Sequence, residues 1–150
     1  MGSFGFWQKW LFGFGLYLTV FGLVMAFFSQ SRLMDFVFNS QIDPTFWDSV
    51  EPSAPTLEFQ AFIYGVLGAT IAGWGIFIAF IARYPFKEKE PWAWSCIATG
   101  LIVWFLVDTF VSIRFGVGFN VVVNTMFLLL ALLPLIFTRK HFVARTASTA

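Results

Sequence analysis

Polar and apolar residues are distributed along this chain in blocks far longer than those of a soluble helix. No Asp, Glu, Lys or Arg falls between Trp10 and Ser31, between Phe59 and Ala82, or between Phe115 and Thr138, and Asp108 alone interrupts Pro91 to Ile113. A helix needs about 20 apolar residues to cross a hydrocarbon core of roughly 30 Å, so each block is long enough for one span. Lipid offers no water to the backbone, and a helix satisfies its own hydrogen bonds. The pattern predicts an all-α, integral membrane four-helix transmembrane bundle forming a single domain, 1–150. Its spans are expected at about 10–29, 58–82, 92–114 and 119–138, with an external loop at 30–57 and a cytoplasmic tail at 139–150.

Lys9 followed by an apolar run has the outline of a secretory signal. The run is longer than a signal core, and no small-x-small site follows Phe27-Phe28-Ser29-Gln30-Ser31, which favours a retained helix. Basic residues set the expected orientation. Of the nine Lys and Arg, Lys9, Arg83, Lys87, Lys89, Arg139, Lys140 and Arg145 fall on one side, and only Arg32 and Arg114 on the other. Both termini and the second connection are therefore expected in the cytoplasm. Trp7, Trp10, Trp92 and Trp94 fall at the same interface, where indole rings prefer to sit.

The connections carry their own signals. Residues 30–57 are acidic, with Asp35, Asp43, Asp48 and Glu51 against Arg32. Leu33 to Phe38 is apolar enough to lie on the bilayer surface as a short helix or extended piece, and Asp43-Pro44-Thr45-Phe46-Trp47 has turn chemistry. A cap over the helix ends is the expectation, with partner docking or ligand gating as the sharper reading. The connection from Tyr84 to Pro91 is short, and the one near Phe115 to Gly118 shorter. The second, third and fourth spans are thus expected to be neighbours in space. In the second span, Gly65, Gly68, Ala72, Gly75 and Ala79 recur every three or four residues, one helix face on which another backbone can approach closely. An internal seam is the default, and a homodimer seam the alternative.

Asp108 carries the most chemical information. It lies eight positions before Gly116, about 12 Å below the outer end of the third span. A mid-helix carboxylate costs on the order of 2.5–3.5 kcal/mol on insertion scales, so it should face protein or a wet cavity. Trp104, Asp108 and Ser112 share a face at spacing four, as do Asn120 and Asn124 across the short turn. A polar cluster of Asp108, Asn124, Ser112 and Tyr64 is expected, with Asn120, Glu58 and Arg114 nearer the rim. Arg114 is six residues from Asp108, about 240° around the helix, and is expected to snorkel towards Glu58 or the acidic loop. Pro134 removes a backbone donor in the fourth span and frees the carbonyl of Leu130, which predicts a kink there.

Composition removes several classes of function. Only 11% of residues are charged, against roughly a quarter in soluble domains. A net charge of +1 gives no polyanion footprint, so no nucleic acid is expected as a partner. The single cysteine, Cys96, excludes an intrachain disulfide and a multi-cysteine metal cluster. His141 lies outside the spans, which argues against a histidine-ligated haem, and no glycine-rich phosphate loop is present. No metal, cofactor or catalytic residue is therefore expected, since Asp108 alone offers one acid or base and no nucleophile.

Phe62 to Ala69, Trp92-Ala93-Trp94, Trp104 to Thr109, Asn120, Asn124 and Leu135 to Lys140 together resemble a group of small four-span bacterial membrane proteins with no established activity. The resemblance covers a little over half the chain and implies a bacterial inner-membrane setting. The first span carries no charge, unlike that of small multidrug transporters with their membrane-embedded glutamate. The leading expectation is a non-enzymatic accessory or scaffold component of a membrane-protein complex. The alternative is a small-molecule, proton or ion site around Asp108. Such a transporter would need to dimerise, and the small-residue face of the second span would be its seam.

Overall fold

The computed structural model describes residues 3–47 and 52–142. It is all-helical, with no strand among the described residues. Four helices are long and apolar enough to cross a membrane: α1 (Phe4–Phe28), α4 (Ala54–Arg83), α5 (Pro91–Arg114) and α6 (Gly118–Thr138). This is the architecture of a multi-pass membrane protein. α1 starts about six residues before the predicted span because Ser3 caps it, its Oγ accepting from the Phe6 N–H at 3.4 Å. Pro55 stands in the first turn of α4 and Pro91 in that of α5, where the missing N–H is no loss.

The connection after α1 is helical from Arg32 to Trp47, in keeping with a short helix at Leu33 to Phe38 but replacing the turn expected at Asp43 to Trp47. Short α2 (Arg32–Met34) passes through a π-helical stretch, Asp35–Asn39, into α3 (Ser40–Trp47). Pro44 lies inside α3 and withdraws the donor that Ser40's carbonyl would otherwise receive, but Ser40 is exposed and its carbonyl can turn to water. Met34 and Phe38 are buried against Met25, so this segment covers one end of the bundle, here termed the cap end. Asp48 and Glu51 lie outside the described residues.

α4 is seated along α1 rather than against its sequence neighbour α5, contrary to the expectation from loop length. The reason is shape. Gly15, Thr19, Gly22 and Ala26 of α1 meet Gly68, Ala72, Gly75 and Ala79 of α4 so closely that a methyl added at Gly68 would stand 2.6 Å from the Ala26 backbone nitrogen. The small-residue face is therefore an internal seam, and it is not available as the dimer seam that the transport reading requires. Gly65 is at its loose end, with only the Ala26 carbonyl oxygen near, at 3.9 Å.

α5 and α6 form a second pair, joined by a tight turn. Gly116 takes the left-handed conformation (φ 74°), the Gly116 N–H donates to the Ile113 carbonyl and the Val117 N–H to the Ser112 carbonyl. That is a Schellman ending, for which glycine is the unstrained residue. α1 also packs on α6, whereas α4 and α5 touch sparsely. The four helices thus close a ring on three sides and leave it loose between α4 and α5.

The end carrying the termini is locked by polar and aromatic contacts. α6 continues through Pro134, and the Leu130 carbonyl freed by that proline accepts from Trp10 Nε1 at 2.9 Å. Trp94 Nε1 donates to the Leu135 carbonyl at 2.9 Å, and Gln8 Nε2 to the Ala82 carbonyl at 2.9 Å, near the end of α4. Phe86, from the α4–α5 connection, is fully buried between Phe4 and Phe142.

Candidate ligand cavity

α5 presents Trp104, Asp108 and Ser112 one turn apart, and the Gly116 turn folds α6 back so that Asn120 and Asn124 stand opposite. Asp108 Oδ1 accepts from Asn120 Nδ2 at 2.8 Å and from Asn124 Nδ2 at 2.9 Å, with Ser112 Oγ at 3.3 Å. Ser112 Oγ donates more closely to the Asp108 carbonyl, at 2.7 Å, and accepts from Asn120 Nδ2 at 2.8 Å. Ser112 and Asn124 are buried. The i, i+4 spacing on each side of a short turn makes this clasp a local product of the α5–α6 hairpin.

The clasp borders a partly open cavity. A cavity of about 440 Å³ lies between the four helices, with Asp108, Asn120 and Asn124 at one part of its wall. Apart from Thr70, whose hydroxyl donates to the Val66 carbonyl at 2.9 Å, the rest is apolar or aromatic: Phe14, Leu18, Phe21 and Met25 from α1, Leu67, Ile71, Trp74 and Ile78 from α4, Leu101 and Trp104 from α5, and Val123 and Phe127 from α6. Phe38 closes it at the cap end, its ring 5.6 Å from those of Phe21 and Phe119. On the loose α4–α5 side, Trp74 and Trp104 meet edge to face at 6.3 Å. A second cavity of about 270 Å³ continues the crevice towards Cys96 and shares Trp74, Ile78 and Leu101 with the first.

The other expected site residues are placed elsewhere. Tyr64 does not join Asp108: it packs on the Met25, Met34 and Phe38 cluster, beside Gln60 and Asp43. Its helix is turned so that the small-residue face meets α1, which leaves Tyr64 facing the Met25, Met34 and Phe38 cluster and not α5. Gln60 Nε2 donates to Asp43 Oδ1 at 2.8 Å. Burial raises the Asp43 carboxyl above its usual range, with the Gln60 hydrogen bond opposing and Asp35 adding to the rise. Glu58 is exposed near the start of α4. Arg114 has its guanidinium 5.9 Å from the Phe115 ring, so it lies over an aromatic face at the rim instead of reaching Glu58. Among the described residues, no three His, Cys, Asp or Glu come together as a metal site. Cys96 is exposed, and His141 rests against Phe4 at 5.1 Å.

Sequence reasoning missed the aromatic walls. Phe14, Leu18, Phe21 and Met25 recur at spacings of four, three and four, the signature of one helix face, and the same signature marks any core-facing stripe. Nothing in that pattern distinguishes a wall from a packed core. In class, the chain is a multi-pass helical membrane protein with a carboxylate-bearing interior cavity. Family models, curated proteins and solved structures contain no match to it.

Proposed function

We propose that this chain is a non-enzymatic protein of the bacterial inner membrane, with both termini cytoplasmic, that binds a small molecule in the cavity at Asp108. The observation that carries this reading is an aspartate within a spanning helix, six residues before the end of α5, bordering a cavity of about 440 Å³, within the range of small-molecule sites. A purely structural clasp is a weak reason for that carboxylate. Polar contacts between membrane helices average about 0.6 kcal/mol, so the two that Asp108 accepts from α6 offset only part of the roughly 2.5–3.5 kcal/mol cost of inserting the charge. A clasp also needs no open volume beside it.

The test is native mass spectrometry of the protein taken from its own membranes in mild detergent. A small molecule is expected to be retained by the wild type and lost from Ile71→Trp, which fills the cavity wall. A wild type carrying nothing, or carrying equal mass in both proteins, would overturn the reading. A reporter fused to the C-terminus tests the orientation, and signal only from the far side of the membrane would reverse it.

An accessory role in a larger complex is the second reading, favoured by a shallow apolar groove on α6 lined by Val122, Met126, Leu129 and Leu133. That surface suits a partner helix. A stoichiometric protein partner in the same spectra would support it.

A further inference from the structure

We infer that the ligand of this cavity is an amphipathic organic cation, such as a protonated amine on an apolar body, entering from the bilayer between α4 and α5. This inference rests on the binding role proposed above and specifies its chemistry. Hydrogen-bond accounting supplies the first reason. Asn120 engages Nδ2 with both Asp108 and Ser112, Ser112 directs its single hydroxyl hydrogen to Asp108, and Asn124 engages Nδ2 with Asp108. An amide nitrogen facing a carboxylate must be the donor, which leaves both amide oxygens as acceptors. Among the described residues, no hydrogen bond reaches Asp108 Oδ2 or either amide oxygen, so the unused capacity of the clasp is mostly acceptor.

Charge supplies the second reason. No Lys, Arg or His lines the cavity, so Asp108 has no counter-charge there. An anionic ligand would be repelled. A neutral donor would fill the hydrogen bonds and leave the charge unbalanced in a low-dielectric site. A bare metal ion is disfavoured, because hard divalent cations require six or more oxygen ligands and, beyond the clasp, the only polar side chain on the walls is that of Thr70. A cation attached to an apolar body matches both parts of the wall. Trp74 and Trp104 add π surface of the kind that attracts organic cations.

The route follows from packing. The α1–α4 seam, the α5–α6 hairpin and the α1–α6 contact close three sides, and Phe38 stands over the cap end. The α4–α5 side is the loose one, and two cavities that share Trp74, Ile78 and Leu101 lie along it. Leu67 and Trp74, which line the cavity from α4, are both exposed. A molecule already dissolved in lipid reaches Asp108 there without crossing water.

The experiment uses three probes with one body and three heads: 4-phenylbutylamine, 4-phenylbutan-1-ol and 5-phenylpentanoate. Each is titrated by calorimetry at neutral pH into the full chain in phosphatidylcholine nanodiscs, with empty nanodiscs subtracted. The amine is expected to bind tighter than the alcohol by about tenfold or more, with the acid weakest. Asp108→Asn should bring amine and alcohol together, and Ile71→Trp should abolish binding of both. The wild-type comparison stands even if a variant fails to fold. Alcohol or acid binding as tightly as the amine, and lost in Ile71→Trp, would overturn the cation while leaving the binding role intact. No binding by any probe, or binding that Ile71→Trp leaves unchanged, would remove both.

Discussion

Replacing Gly22 by alanine tests the seam on which the whole arrangement depends. The added methyl would stand 2.5 Å from the Gly68 carbonyl oxygen and collide with the Ala72 backbone nitrogen. Ordinary contact is about 3.5 Å, so α1 and α4 must part by about 1 Å, enough to forfeit roughly a quarter to a half of each pairwise attraction along the seam. Overpacking an interior costs about 1–3 kcal/mol, and the obstruction here is backbone, which cannot swing aside, so the upper part of that range applies. Alanine's intrinsic helix advantage of about 1 kcal/mol offsets part of it, leaving a net loss of about 2 kcal/mol. The assay is equilibrium unfolding by SDS in mixed micelles, followed by circular dichroism. Gly13→Ala is the control, because a methyl there meets nothing within 4 Å, and it should be as stable as the wild type or slightly more so. Gly68→Ala should resemble Gly22→Ala, and the double variant should cost less than the two together, since one separation relieves both collisions. If Gly22→Ala unfolds at the same SDS fraction as Gly13→Ala, the close approach of α1 and α4 does not exist.

Two further expectations concern the end carrying the termini. Trp10→Phe removes the donor to the Leu130 carbonyl and should cost about 0.6–2 kcal/mol, whereas in a Pro134→Ala background, where residue 134 supplies its own N–H, the same change should cost clearly less. An equal cost in both backgrounds, read from the same SDS titrations, would show that the indole does not serve that carbonyl. His141 has its pKa lowered by burial first and then by Lys140 and Lys89, so the unfolded chain takes up the proton at higher pH than the folded one. Stability should therefore fall as pH drops below the ordinary histidine value of 6.5 and level off once the folded state is also protonated. His141→Gln should flatten that dependence in thermal-unfolding midpoints measured from neutral to mildly acidic pH.

What could be read along the chain is what depends on local length and spacing. Four apolar helices follow from four uncharged or nearly uncharged blocks, and the Asp108, Ser112 and Asn124 contacts follow from i, i+4 spacing on each side of a short turn; Asn120, expected nearer the rim, joins them by donating to Asp108. The carbonyl of Leu130 was marked as free by Pro134 alone, but nothing local could show that Trp10, 120 residues earlier, would take it. The pairing of helices was decided only in three dimensions. A short loop lets α4 and α5 pack without compelling them to, and the grooves made by Gly15 and Gly22 on α1 fit the α4 backbone far more closely than the large side chains of α5 allow. That choice rotates Tyr64 away from Asp108, loosens the α4–α5 side and leaves the cavity at Asp108. A cavity is the volume that four faces fail to fill together, and no single helix carries that information in its own sequence.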